Sequence, residues 1–80
     1  MSESVFQKVS EIIADSKNIS ADEITLETTF RELDIDSLAA LSLVYDFEEA
    51  FNVSIPDEEV IKIRKVGDVV ESLDQLNVAV

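Results

Sequence analysis

Residues 36–52 read DSLAALSLVYDFEEAFN, and this stretch decides the fold because its apolar side chains repeat with the period of an α-helix. At about 100° of rotation per residue, six apolar side chains collect on one face, a stripe wide enough to pack on a core. These residues are Ala40, Leu43, Val44, Phe47, Ala50 and Phe51. Asp36 and Ser37 are both good N-cap residues and Asn52 is an acceptable terminator, so we predict a helix over residues 36–51.

A second apolar strip, formed by Leu38, Leu41 and Tyr45, lies largely opposite the first stripe on the same helix. It could pack under a neighbouring loop, or it could be the ordinary exposed apolar surface that folded proteins carry. It could instead be a docking surface, because Glu48 and Glu49 flank it and supply a charged rim around an apolar centre. We favour the docking surface.

Periodic apolar residues predict three further helices, over residues 4–15, residues 57–63 and residues 66–76. Pro56, followed by three acidic residues in a first turn, marks the start of the short middle one. The positions that define the other two are Val5, Val9, Ile12, Ile13, Val66, Val69, Val70, Leu73 and Leu76. The predicted fold class is therefore all-α: a four-helix bundle of three longer helices and one short third helix.

A long loop over residues 16–35 joins the first two predicted helices. Ser20 followed by Glu23 predicts a capping box around one short turn of this loop. Its apolar residues show no period, and we expect them to anchor the loop on the core. They are Ile19, Ile24, Leu26, Phe30 and Leu33.

Length and charge narrow the possible functions. A chain of 80 residues predicts a single domain spanning residues 1–80, and we expect a monomer. The formal net charge is −12, which argues against nucleic acid and anionic membranes as partners and favours basic proteins. Nine acidic residues and one base, Arg31, fall within residues 31–59. The absence of a signal peptide pattern and of a membrane-spanning run predicts a cytoplasmic protein.

Ser37 is the residue whose chemistry needs explaining. A catalytic Ser–His–Asp triad is excluded because the chain has no histidine, and the surroundings are not G-x-S-x-G. No motif places a lysine as its base, so we expect no catalysis but modification by another enzyme. Calcium binding by an EF-hand loop that starts at Asp34 is also excluded, since Ala39 and Tyr45 stand where glycine and the bidentate glutamate are required.

The sequence Asp36-Ser37-Leu38 resembles the D-S-L attachment motif of acyl carrier proteins. Four flanking segments extend the resemblance over residues 4–76. They are EITLET at 23–28, FEEAF at 47–51, IPDEE at 55–59 and KVGD at 65–68. The resemblance implies a four-helix bundle in which Ser37, between Asp36 and Leu38, bears covalent 4′-phosphopantetheine that carries acyl thioesters. A phosphopantetheinyl transferase would attach the arm.

The resemblance also implies partners and their contact residues. Acyl-transfer and chain-elongation enzymes would bring basic docking patches to the second helix and its surroundings. The contact residues implied are Leu38, Leu41, Tyr45, Glu48, Glu49 and Ile61. The alternative outside this class is a helical adaptor that docks basic partners without a cofactor.

Four positions depart from the resemblance. Many members carry glycine at the position of Asp34, and the familiar fatty-acid-synthesis members often carry acids where Ala39, Ser42 and Ile61 stand. The implied docking face is therefore less acidic and more apolar than usual. This difference favours a specialised carrier, dedicated to one pathway or one modified lipid, over a general fatty acid synthase carrier.

Overall fold

The computed structural model describes residues 3–76, and residues 1–2 and 77–80 lie outside it. Four helices make up the described chain: α1 (Glu3–Lys17), α2 (Ser37–Phe51), α3 (Asp57–Val60) and α4 (Val66–Gln75). One 3₁₀ turn, Ala21–Glu23, interrupts the long loop between α1 and α2. The predicted all-α architecture, with three longer helices and a short third one, is confirmed. None of the helices within residues 3–76 has the length and apolar character needed to cross a membrane.

The core lies where α1 packs against α2 and α4. The predicted rotational phase of α2 is confirmed, because Leu43, Val44, Phe47 and Phe51 are buried while Tyr45 is exposed. The largest fully buried side chains come from all three long helices: Phe47, Ile13, Leu43, Leu73, Val5, Val9, Val66, Val69 and Val70. Burial of these aliphatic and aromatic groups drives folding, since the hydrophobic effect scales with the apolar area removed from water.

Asparagine ends both α1 and α2. Asn18 and Asn52 adopt left-handed backbone conformations, with φ of 58° and 56°. After Asn18, the Ile19 N–H donates to the Ala14 carbonyl at 3.0 Å, which closes the end of the helix as in a Schellman motif. This cap lets α1 continue to Lys17, two residues beyond the predicted end at residue 15.

The capping box predicted in the long loop is confirmed. The Ser20 N–H donates to Glu23 Oε2 at 3.1 Å, and the Asp22 N–H donates to Ser20 Oγ at 3.3 Å. The predicted anchors also face the core, with Ile24 and Phe30 buried. The other three, Ile19, Leu26 and Leu33, are half-buried against the same cluster.

The end of the long loop runs alongside the segment that leads into α4. An isolated antiparallel bridge pairs Thr29 with Lys65. Three backbone hydrogen bonds flank it: Phe30 N–H to the Arg64 carbonyl at 3.1 Å, Val66 N–H to the Thr28 carbonyl at 2.9 Å, and Gly67 N–H to the Leu26 carbonyl at 2.9 Å. We call this pairing the loop–α4 seam. The Ile35 N–H donates to the Phe30 carbonyl at 2.9 Å, which links the seam to the residues just before α2.

The predicted end of the third helix at residue 63 is wrong, because α3 ends at Val60. Beyond it, the Lys62 and Ile63 N–H groups bond three residues back, to the carbonyls of Glu59 and Val60, both at 3.1 Å. Helical bonding does not resume after this turn, because the Arg64 N–H donates to Asp68 Oδ2 at 3.0 Å and not to the Val60 carbonyl.

Two residues assigned to the apolar faces of helices are exposed. Ala50 is exposed, since it lies about 80° from Ala40 on the helical wheel, at the edge of the stripe. It lines a groove between α1 and α2 together with Ile12. Leu76 is 37% exposed because α4 ends at Gln75 and Leu76 is its C-cap.

Candidate functional site

Ser37 is the first residue of α2, and Asp36 holds it there as the N-cap. The Asp36 Oδ1 atom accepts from the Ala39 N–H at 2.8 Å, and its carbonyl accepts from the Ala40 N–H at 2.8 Å. An N-cap bond of this kind typically stabilises a helix by about 1 kcal/mol. The acid of the D-S-L motif therefore has a structural role in presenting the serine.

The Ser37 side chain is exposed, and its hydroxyl has no protein hydrogen-bond partner among residues 3–76. Within residues 3–76 no base is bonded to this hydroxyl, unlike the serine of an activated nucleophile–base pair. The positive end of the α2 dipole lies at Ser37, where the first N–H groups of a helix lack partners within it. This position favours an anionic group on Ser37.

A cavity of about 380 Å³ lies beside Ser37. Its walls come from the end of the long loop, the start of α2 and the segment after α3. Ser37 shares this lining with Thr29, Phe30, Arg31, Ile35, Asp36, Ala40, Ile63 and Arg64. The buried Phe30 and Ile35 contribute apolar lining, and two arginines are also among the lining residues. The cavity can therefore receive a group that is anionic at Ser37 and less polar beyond it.

The second apolar strip of α2 is exposed. The exposed fraction is 77% for Leu38 and 60% for Tyr45, and Leu41 is at the border of exposure. The interpretation that the strip packs under the loop is therefore wrong, and its side chains share one open face of α2. Ile61, just after α3, is also 77% exposed.

The two acidic residues of the predicted rim differ in their surroundings. Glu49 is exposed, whereas Glu48 is half-buried. The Glu48 Oε2 atom accepts from the Ile55 N–H at 2.7 Å, which ties the end of α2 to the start of α3. Sequence reasoning missed this bond, because nothing in the spacing of the two residues predicts how the intervening turn folds.

Arg31 and Arg64 are cavity-lining residues that sequence reasoning also missed. They are far apart in the chain and share no motif, so only the loop–α4 seam brings them to one cavity. One signal was present: Arg31 is the single base within the acidic stretch of residues 31–59.

Asp34, which stands where many acyl carrier proteins have glycine, adopts a left-handed conformation with φ of 59°. Glycine reaches this region without strain, whereas a side chain makes it costly, least so for asparagine and aspartate. The Lys17 Nζ atom lies 3.5 Å from the Asp34 carbonyl oxygen and donates to it. The backbone turn before α2 is therefore kept although the glycine is absent.

Comparison with known proteins decides the family. Residues 7–73 match the family described as the phosphopantetheine attachment site. The chain belongs to the acyl carrier protein family. The acyl carrier protein of Clostridium acetobutylicum is 48% identical over 67 residues, which cover 82% of this chain and 87% of that protein.

Two solved acyl carrier protein structures share the fold. The protein from Enterococcus faecalis superposes with a TM-score of 0.76 at 34% identity, covering 91% of this chain and 94% of that one. The protein from Thermotoga maritima gives a TM-score of 0.74 at 37% identity, covering 88% and 84%.

Family membership confirms three of the functional expectations. This acyl carrier protein is a carrier and not an enzyme, its cofactor is 4′-phosphopantetheine, and it interacts with a phosphopantetheinyl transferase and with biosynthetic enzymes. The described residues fit the cofactor, because the lining of the cavity beside Ser37 combines the exposed serine, the apolar residues Phe30 and Ile35, and two arginines. The alternative of an adaptor without a cofactor is disfavoured.

Proposed function

We propose that Ser37 is the residue that receives 4′-phosphopantetheine, transferred from coenzyme A. The observation that carries the proposal is the exposed, unbonded Ser37 hydroxyl at the first turn of α2, beside its Asp36 cap. The residue also falls inside the D-S-L motif and within the matched residues 7–73. When bound, the cofactor supplies a terminal thiol that carries acyl groups as thioesters in fatty acid, lipid or polyketide synthesis.

Intact mass tests this assignment. The wild type, incubated with a promiscuous phosphopantetheinyl transferase and coenzyme A, should gain the mass of one phosphopantetheine, and Ser37→Ala should gain none. Ser42→Ala is the matched control, because Ser42 is an exposed serine on the same helix and its removal should leave loading intact. Equal modification of Ser37→Ala and wild type would refute the assignment.

We further propose that the exposed strip of α2 is the docking face for partner enzymes. The apolar centre consists of Leu38, Leu41 and Tyr45 of the strip, joined by Ile61 after α3, and the acidic rim consists of Glu48 and Glu49. The exposure of Tyr45 and Leu38 supports this, since nothing on the described chain covers them. The Glu48 carboxylate already accepts from the Ile55 N–H. We therefore expect Glu49 to contribute more than Glu48 to the electrostatic attraction between this face and basic patches on partner enzymes.

The transferase itself can probe this face. Tyr45→Ala should lower kcat/KM for loading about tenfold, because an aromatic side chain buried at the centre of an interface is commonly worth more than 1 kcal/mol. Phe6→Leu, a change on α1 away from the strip, is the control and should load like the wild type. An unchanged kcat/KM for Tyr45→Ala, with unchanged melting, would remove Tyr45 from the docking face.

We also propose that the carrier serves one pathway or one modified lipid and not general fatty acid synthesis. Ala39 and Ser42 support this, because both are exposed on α2 where the familiar fatty-acid-synthesis members often carry acids. Added rim charges mainly raise the association rate with a basic patch, and exposed pairs contribute about 1 kcal/mol or less each.

Loading of the holo carrier by a general malonyl transferase tests the specialised role. The Ala39→Asp/Ser42→Glu variant should load up to about tenfold faster than the wild type, and the gain should shrink as salt rises. If the wild type already loads as well as a general synthase carrier, the specialised role is wrong.

A cytoplasmic location, a monomeric state and a single domain over residues 1–80 stay predictions.

A further inference from the structure

Two arginines line the cavity beside Ser37. Arg31 follows the buried Phe30 at the end of the long loop, and Arg64 precedes α4. Both line the same cavity because the Phe30 N–H donates to the Arg64 carbonyl at 3.1 Å and Thr29 pairs with Lys65. The loop–α4 seam thus brings two of the six basic residues of a chain with net charge −12 to one cavity.

Neither guanidinium has a partner within residues 3–76. The ion pair in that part of the chain joins Lys62 to Glu59 at 3.7 Å, and Lys17 donates to a carbonyl. The acids around the cavity are engaged with backbone groups instead. Asp36 accepts from the Ala39 N–H, Glu32 from the Thr29 N–H at 2.8 Å, and Asp68 from the Arg64 N–H at 3.0 Å.

The cavity lining therefore includes an exposed serine and two exposed arginines that have no ion-pair partner among residues 3–76. Planar guanidinium groups bind phosphate oxygens through paired N–H donors. A phosphate esterified to Ser37 lies one bond from the serine oxygen, at the edge of the cavity that both arginines line. It would also add negative charge to a chain that is already strongly acidic, which the two arginines would offset.

We propose that Arg31 and Arg64 bind the phosphodiester of the phosphopantetheine carried on Ser37, and that they orient the arm at its root. The proposal rests on the assignment of Ser37 as the attachment site. The arginines are positioning residues: they do not take part in acyl transfer, and they hold the first group of the arm in the holo protein.

The test compares three proteins in apo and holo form: wild type, Arg31→Gln/Arg64→Gln, and Lys8→Gln/Lys62→Gln. The lysine variant is matched in charge, because it loses two positive charges away from the cavity. Loading is first verified by intact mass. The gain in melting temperature from apo to holo should be about 4 °C smaller in the arginine variant than in the wild type at low salt. The lysine variant should match the wild type.

Phosphorus NMR of the holo proteins gives a second readout. The resonance of the phosphodiester should move with salt in the wild type and the lysine variant, because screening weakens its contacts, and should be insensitive to salt in the arginine variant. Arg31→Lys/Arg64→Lys should restore part of the salt dependence of this resonance. If the double glutamine variant does not fold, the single variants Arg31→Gln and Arg64→Gln take its place. Each should show about half of the change expected for the double variant in melting-temperature gain and in salt dependence of the resonance.

Three outcomes distinguish a failure of this proposal from a failure of the Ser37 assignment. A wild type that gains no mass, or a Ser37→Ala variant that does, refutes the attachment site. Full loading of all proteins with identical melting gains and identical phosphorus spectra overturns the arginine proposal alone. Slower loading of the arginine variant with unchanged holo properties also overturns it, because the arginines would then contact coenzyme A during transfer and not the attached arm.

Discussion

Replacing Gly67 by alanine would place a methyl group against the loop that leads to Ser37. Gly67 lies in the first turn of α4, and its N–H donates to the Leu26 carbonyl at 2.9 Å. A Cβ atom built on Gly67 would lie 2.9 Å from the same carbonyl oxygen and 3.6 Å from the Leu26 Cβ. The nearest atom belongs to the backbone and cannot rotate away, so the loop–α4 seam must open.

The sign of the effect follows from two opposing terms. Alanine is favoured over glycine inside a helix by about 1 kcal/mol, and somewhat less in the first turn. Against this, overpacking typically costs about 1–3 kcal/mol, and a weakened hydrogen bond about 1 kcal/mol more. We therefore expect Gly67→Ala to destabilise the protein by about 1–2 kcal/mol net, which corresponds to a fall in melting temperature of about 5–10 °C.

Thermal and urea denaturation of the apo protein, followed by circular dichroism, would measure this difference. Glu71→Ala is the control, because Glu71 is exposed on α4 and its replacement should change stability by less than about 0.5 kcal/mol. A rise in melting temperature for Gly67→Ala would refute the reasoning, because helix propensity would then outweigh the contact with the loop.

Three further predictions concern stability. Phe47→Ala should cost about 3–5 kcal/mol because the ring is fully buried, and Tyr45→Ala much less; equal costs in a denaturant titration would contradict the observed phase of α2. Asp34→Gly should stabilise the folded protein by about 0.5 kcal/mol, because it relieves the strain of the left-handed backbone conformation. Asp34→Asn removes the same charge and should gain less stability. Equal gains would indicate that the lost charge, and not the backbone conformation, causes the effect. Screening salt should raise the melting temperature because the net charge is −12, and an unchanged value between low and moderate salt would mean that the acids are already well spaced.

Local rules of the chain predicted most of the helices and their faces. The burial of Phe47 and the exposure of Tyr45 follow from a period of 3.6 residues, and the same period separates the core stripe of α2 from its open strip. The caps at Ser20 and Asp36 follow from side chains that satisfy N–H groups a few residues away. These features were predictable because both partners of each interaction lie within one or two turns of chain.

Predictions failed where a distant segment competes for the same backbone or surface. α3 stops at Val60, and the chain that follows pairs with the long loop at residues 64–66 instead of continuing as a helix. Ala50 is exposed because α1 and α2 leave a groove at that edge of the stripe. The period of the local sequence specifies neither the partner of residues 64–66 nor the groove beside Ala50.

The sequence by itself determined the helical class, the orientation of α2 and the family motif around Ser37, because these depend on periodicity, capping and residues close together in the chain. Only the tertiary structure decided what surrounds Ser37. The loop–α4 seam joins segments that are remote in sequence, and it alone brings Arg31 and Arg64 to one cavity and turns Gly67 from a weak helix residue into a required one. Their positions depend on long-range backbone hydrogen bonds, for which no local pattern in the sequence specifies the partner.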